Sequence, residues 1–265
     1  MTTIEAEAAD PSSAVPGSSG PASFAQRLAV GCSSLAVPGK WNEDRVGHAN
    51  PTPDEWRSHG LAVAVADGIG GDGSGAFAAA VALRTILRDY YATPVAWGPR
   101  KAIDRVLRAC NDWLHGQNQR RKDTDAALTT LSVVVFTQDH FHLAHVGDTR
   151  VYRFRDGGAK QLTTDHCWPR HDLRHVPKRA LGLDSHLVVD YADGVLLPGD
   201  TFLLATDGVW EVLGDRQLGE TVSEFPRPQA CAEALVAQAM DRQSRYMGRN
   251  DASCALVTVG AETSL

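Results

Sequence analysis

Two runs of residues constrain the fold of this chain more than any other feature. Leu61-Ala62-Val63-Ala64-Val65 and Leu131-Ser132-Val133-Val134-Val135-Phe136 are apolar almost without a break. A strand with one wet face alternates apolar and polar residues, whereas a strand covered on both faces has no polar side to present. The first run stops at Asp67-Gly68, and Phe202-Leu203-Leu204-Ala205 stops in the same way near Asp207-Gly208. Phe141 to Val146 and Thr149 to Phe154 flank Gly147-Asp148, and Cys254 to Val259 is the last strong run. Helical spacing appears in three places. Phe77, Val81, Ile86, Leu87 and Tyr90 form one set, and Ile103, Val106, Leu107, Cys110 and Leu114 a second. A third begins near Pro228, with Ala232, Leu235, Val236 and Ala239 inward. Several strands in succession, then a few long helices, predict packed sheets flanked by helices, not alternating βαβ units.

Composition removes several classes of function. With 265 residues, the chain can bury roughly 70–75% of its unfolded surface and needs no disulfide or metal staple to fold. Lys plus Arg is 26 against 32 Asp plus Glu, a net charge of -6, which argues against a nucleic-acid partner. The five cysteines form no CxxC pair and read as buried thiols in a reducing compartment. No run approaches the ~18 apolar residues of a membrane span. Met1 to Pro11 carries Glu5, Glu7 and Asp10, with neither a basic start nor an apolar stretch, so no secretory signal is expected. These features predict a cytoplasmic chain with no membrane partner. Residues 1–23, rich in Ser, Pro, Gly and Ala, are expected to be a disordered tail, leaving one domain over 24–265.

The acidic residues carry the chemistry. Asp44, Asp67, Asp148, Asp207 and Asp251 each lie beside a predicted strand end, three of them next to glycine. Taken singly, each is an ordinary turn Asp, since Asp-Gly is a common turn dipeptide. Taken together, carboxylates converging on one end of a sheet repel each other unless cations stand between them. Hard oxygen donors of this kind suit Mg²⁺ or Mn²⁺.

The motifs around these residues narrow the choice. Asn42-Glu43-Asp44-Arg45 and Val65-Ala66-Asp67-Gly68-Ile69-Gly70-Gly71 come first, followed by Leu128-Thr129-Thr130. His145-Val146-Gly147-Asp148-Thr149-Arg150 and Leu162-Thr163-Thr164-Asp165-His166 are next. Arg179-Ala180-Leu181-Gly182, Ala205-Thr206-Asp207-Gly208-Val209-Trp210 and Asn250-Asp251-Ala252-Ser253 complete the series. In this order they resemble the metal-dependent, type 2C serine/threonine protein phosphatases of bacterial type. The resemblance implies an α+β fold: a four-layer αββα sandwich of two antiparallel β-sheets packed face to face and flanked by helices. It also implies two Mn²⁺ or Mg²⁺ ions and a third, weaker one. Asp67 would be shared by both ions, Gly68 would give its carbonyl, and Asp44 and Asp207 would serve one ion each. Asp148 would serve the third. Such ions acidify a water and neutralise phosphoryl charge, so no Ser or Cys nucleophile is required. The implied partners are a phosphorylated protein substrate and a cognate serine/threonine kinase, the enzyme itself being a monomer.

The sequence departs from that pattern in four places. The closing Asp-Asn pair of the family is inverted to Asn250-Asp251. Either a one-residue slip brings Asp251 to the metal, or Asn250 keeps the position as a neutral donor; the reading adopted is Asp251. A slip would turn over the following strand unless a bulge absorbed it. Where relatives carry a phosphate-gripping Arg, this chain offers Lys40, which reads equally as a solvated surface lysine. Ile69 stands where animal relatives have a His, and the stretch from Cys167 to Lys178 is short for a substrate flap. His140 and His142 share a strand face and His145 lies on the other, so packed histidines are expected there, not ligands. The dispersed Trp56, Trp97, Trp113, Trp168 and Trp210 are expected to be core and edge aromatics. Two rivals to the enzyme follow: a phosphoprotein-binding module that has lost catalysis, and another two-metal hydrolase such as a nuclease. The second needs a basic groove that the net charge does not support.

Overall fold

The computed structural model describes residues 27–120, 126–168, 178–245 and 250–260. The elements run β1 (Leu28–Leu35), β2 (Arg45–His48), α1 (Pro53–His59), β3 (Leu61–Ala66), β4 (Gly68–Ile69), α2 (Ser74–Asp89) and α3 (Gly98–Asn118). They continue with β5 (Leu128–Thr129), β6 (Leu131–Phe136), β7 (His140–Val146), β8 (Arg150–Arg155), β9 (Gly158–Gln161) and β10 (Asp190–Val195). The chain then forms β11 (Thr201–Ala205), α4 (Asp207–Glu224), α5 (Pro228–Gln243) and β12 (Ala252–Val259). One antiparallel sheet has the order β1-β12-β11-β8-β9 and the second β10-β7-β6-β3-β2, with β4 and β5 forming a small ribbon. This is the predicted αββα sandwich.

The apolar runs explain the layering. In β3, Leu61, Val63 and Val65 point between the sheets, while Ala62, Ala64 and Ala66 face α2 and α3. In β12, Ala255, Val257 and Val259 face the other sheet, and Cys254 and Leu256 face α4 and α5. Both faces are dry, so the period-2 polar signal is missing. Phe202 closes the middle layer, its ring 5.1 Å from Phe136 and 5.0 Å from Phe141.

The helices correct one expectation. On α2 the buried side is Ala78, Ala79, Ala82 and Ile86, whereas Phe77 is 41% exposed and stands against Trp113. Alanines face the sheet because a small side chain lets a helix approach the strands closely. Trp113 and Trp168 are exposed too, which puts both among the edge aromatics. The second and third helical sets are buried as their spacing predicts. The tail over 1–23 and most of the Cys167–Lys178 stretch lie outside the described residues. Among the described residues, no helix is long and apolar enough to cross a membrane.

Candidate metal centre

Every strand end that carries a predicted acid opens on the same side of the sandwich. Asp67 follows β3, Asp44 precedes β2, Asp148 sits in the turn between β7 and β8, and Asp207 opens α4 just after β11. They line a cavity of about 280 Å³ together with Glu43, Gly68, Ile69, Gly70, Asn250 and Asp251. Six of those ten residues are carboxylic acids and none is cationic. A larger cavity, about 540 Å³, lies at the opposite end of β3 beside Leu61 and Trp56 and contains none of these acids.

Backbone geometry fixes the centre of the site. Thr129 Oγ1 donates to the Asp67 carbonyl at 2.8 Å, and the Thr130 N–H donates to the same oxygen at 2.9 Å. The Asp67 N–H donates in turn to Thr130 Oγ1 at 3.2 Å. Gly68 passes so close to Gly75 and the Glu43 carbonyl that an added Cβ would collide with Gly75 backbone atoms. Gly147 has φ 107°, a conformation that favours glycine, and it turns Asp148 into the cavity mouth.

The carboxylates strain against each other. Burial raises the Asp44 pKa well above the usual range, and the nearby Asp207 and Asp251 raise it further. Thr206 Oγ1 opposes this by donating to Asp44 Oδ2 at 2.8 Å. Asp67 is raised well above the usual range by burial first, then by Asp44, Asp207 and Asp148. Asp148 is pushed up to about 7 by burial and by Asp207. Protons therefore compete for oxygens that a hard divalent cation would neutralise. Among the described residues, no three His, Cys, Asp or Glu side chains are already gathered as a ligand cluster. They stand around the cavity, and internal bonds such as Asn250 Nδ2 to Asp207 Oδ2, 2.8 Å, take up some of their oxygens. Carboxylate crowding and the lack of any lining cation make the donor set fit for divalent ions.

Asp148 has supports that the spacing of acids does not reveal. Trp210 Nε1 donates to its carbonyl at 3.1 Å, and the Arg150 guanidinium lies 3.4 Å over the Trp210 ring. Arg150 is paired to Asp165 at 2.7 Å. Cys167 Sγ stands 3.5 Å from Asp148 Oδ2, and burial and that carboxylate push its thiol pKa up to about 12. The His166 N–H donates to the Gly147 carbonyl at 2.8 Å, and the Gly147 N–H donates to His166 Nδ1 at 3.1 Å. Buried His145 bonds Ser132 and Thr164, while His140 and His142 stack on the other face. Thr129, Thr130, Asp165 and Trp210 are part of the recognised motifs, but supporting roles of this kind need contacts that no spacing encodes.

The two remaining candidates fall in different places. Lys40 is exposed on a turn and is not among the residues lining the cavity, although its charge is felt at Glu43. Asp251 lines the cavity, but its Oδ1 accepts the Val37 N–H at 2.8 Å and its Oδ2 the Glu43 N–H at 2.7 Å. β12 pairs with β1 without interruption from Ala252 opposite Leu35 to Val259 opposite Leu28. No bulge accompanies the inverted pair.

A β-sandwich between helix layers, with a carboxylate-lined cavity and no basic lining residue at one end, fits the class of divalent-metal proteins. The family model for protein phosphatase 2C matches residues 34–258. A probable protein phosphatase 2C 44 from Oryza sativa subsp. japonica is 27% identical over 233 residues, covering 76% of this chain and 69% of the relative. The serine/threonine phosphatase stp of Listeria monocytogenes serotype 4b is 24% identical over 214 residues, covering 74% and 83%. Among solved structures, the catalytic domain of the serine threonine protein phosphatase PstP in complex with two manganese ions superposes with a TM-score of 0.73 at 23% identity. That superposition covers 88% of this chain and 99% of the other. The chain belongs to the protein phosphatase 2C family and is a metal-dependent serine/threonine phosphatase.

Proposed function

We propose that this enzyme hydrolyses phosphoserine and phosphothreonine monoesters on proteins that a serine/threonine kinase has modified. The observation that carries the reading is a cavity lined by six acids and no base. In this reading Asp67, Asp44 and Asp207 would hold two Mn²⁺ or Mg²⁺ ions, Asp67 serving both and the Gly68 carbonyl one of them. Asp148 faces a third, weaker ion. When bound, such ions supply an acidified water and neutralise charge on the phosphoryl oxygens.

The protein's own groups do the positioning. Thr129 and Thr130 hold the Asp67 backbone from both sides, which fixes where its carboxylate points. Thr206 keeps one Asp44 oxygen turned toward the α4 N-terminus. Lys40 is the positive charge assigned to meet the substrate phosphoryl group. Burial and the Asp148 carboxylate push the Cys167 thiol up to about 12, and the proposed reaction needs no thiolate. The free, largely buried cysteines support a cytoplasmic setting.

The test is phosphate release from a peptide carrying phosphothreonine and from the same peptide carrying phosphotyrosine, in Mn²⁺ and in Mg²⁺. Release from the first and little from the second is expected. Tight binding of the phosphothreonine peptide with no release in either metal would overturn the reading and leave a phosphoprotein-binding module.

A further inference from the structure

The inverted pair Asn250-Asp251 does two separate jobs. The strand after it keeps an unbroken register with β1 over Ala252 to Val259, and with β11 over Cys254 to Thr258. The strand therefore carries no bulge, and the hydrogen bonds of the two side chains show which way each is turned. Asn250 is held from behind by Gln243, a buried residue at the end of α5. Gln243 Oε1 accepts the Asn250 N–H at 2.7 Å, while Gln243 Nε2 donates to the Gly208 carbonyl at 2.9 Å. One side chain thus ties Asn250 to the start of α4, and Asn250 Nδ2 meets Asp207 Oδ2 at 2.8 Å.

Asp251 looks the other way. Its two oxygens take the amides of Val37 and Glu43, the two ends of a loop. Ser253 Oγ donates to Ser34 Oγ at 2.7 Å, and Asn42 Nδ2 donates to the same hydroxyl at 2.8 Å, so the loop base is tied again. The loop tip carries Lys40 and Trp41, the latter 84% exposed. A carboxylate offers an acceptor oxygen to each amide, whereas a carboxamide would set its NH₂, a donor, against one of the two N–H groups. That difference accounts for an acid at 251.

We infer that Asp251 is a positioning residue that clamps the Val37–Glu43 loop for substrate contact, and that Asn250 is the neutral side chain facing the ion next to Asp207. The inference rests on the proposed function for its ion and its substrate, and on the hydrogen bonds alone for the clamp. A neutral oxygen in place of a carboxylate weakens the hold on that ion, while sparing Asp207 a like-charged neighbour when no ion is bound.

The experiment uses the full chain and its Asp251→Asn and Asn250→Asp variants. Each is measured for Mn²⁺ binding by calorimetry, amide hydrogen exchange, and kinetics on a phosphothreonine peptide. Asp251→Asn is expected to speed exchange at Val37 or Glu43 by about tenfold or more. Its KM should rise about threefold or more, with kcat falling less and Mn²⁺ affinity staying within about threefold. Asn250→Asp is expected to tighten Mn²⁺ about tenfold with loop exchange unaltered. Asp251→Asn that loses Mn²⁺ affinity by about tenfold while the loop amides stay protected would overturn the inference, making Asp251 the ligand. Unchanged Mn²⁺ affinity in Asn250→Asp would overturn it as well. A wild type that binds no Mn²⁺ would refute the proposed function, and amide exchange would still decide the clamp.

Discussion

Asp148 shows how one buried acid shapes stability. Its pKa in the folded protein is pushed up to about 7, against about 3.9 in an unfolded chain. Between those values the unfolded chain gives up the proton while the folded chain keeps it, so rising pH favours unfolding. The penalty is absent below pH about 4 and complete above about 7, on the order of a few kcal/mol for the cation-free protein. Asp148→Asn should therefore raise the EDTA melting temperature at pH 8, with the gain shrinking toward pH 4. A gain that grew as pH fell would contradict this. The acids themselves were legible in the sequence, because each sits at a strand end beside motif residues. What holds them was not: the Thr206 bond to Asp44 and the Trp210 bond to Asp148 join residues 162 and 62 positions apart.

Elements differ in how openly their sequences declare them. α3 and α5 show an apolar face at helical spacing, and the structure buries those residues. α4 has no such stripe, because Gly214 at φ 72° and ψ 162° interrupts the helix and shifts the phase of its apolar positions. Its first residue, Asp207, also reads as the end of a strand. The β10–β11 connection is a second case, ordered by a charge pair between distant residues. Arg155 Nε and Nη2 meet the two oxygens of fully buried Asp200, each at 2.6 Å, and Asp200 Oδ2 also accepts the Leu197 N–H. Asp200→Ala should lower stability by roughly 3 kcal/mol in denaturant titrations, since it leaves the arginine without its partner. Mn²⁺ affinity should hardly move, because Asp200 lies outside the carboxylate cavity. A loss of ion binding as large as the loss of stability would show that the two regions are coupled.

At the scale of the whole molecule, two sheets with both faces covered form the frame, and the proposed ion site lies in the loops at one end. The fold was readable because unbroken apolar runs leave no wet face, which forces a helix layer outside each sheet. Phe202→Ala in the middle layer should cost roughly 3–5 kcal/mol and leave the carboxylate geometry in place, measured as a lower melting temperature with unchanged Mn²⁺ stoichiometry. Removal of residues 1–23 is expected to leave melting temperature and turnover nearly unaltered, because that segment offers no apolar face to dock. The central claim concerns Asp67, the buried acid on which Asp44, Asp207 and Asp148 all act. Phosphate release from an aryl phosphate, measured for wild type and Asp67→Asn in Mn²⁺, in EDTA, and after Mn²⁺ is restored, tests it most directly. Wild-type activity should vanish with chelator and return with Mn²⁺, and Asp67→Asn should be far more than about tenfold less active than wild type whenever Mn²⁺ is present. Full wild-type activity in EDTA, or an Asp67→Asn variant as active as wild type, would contradict the account.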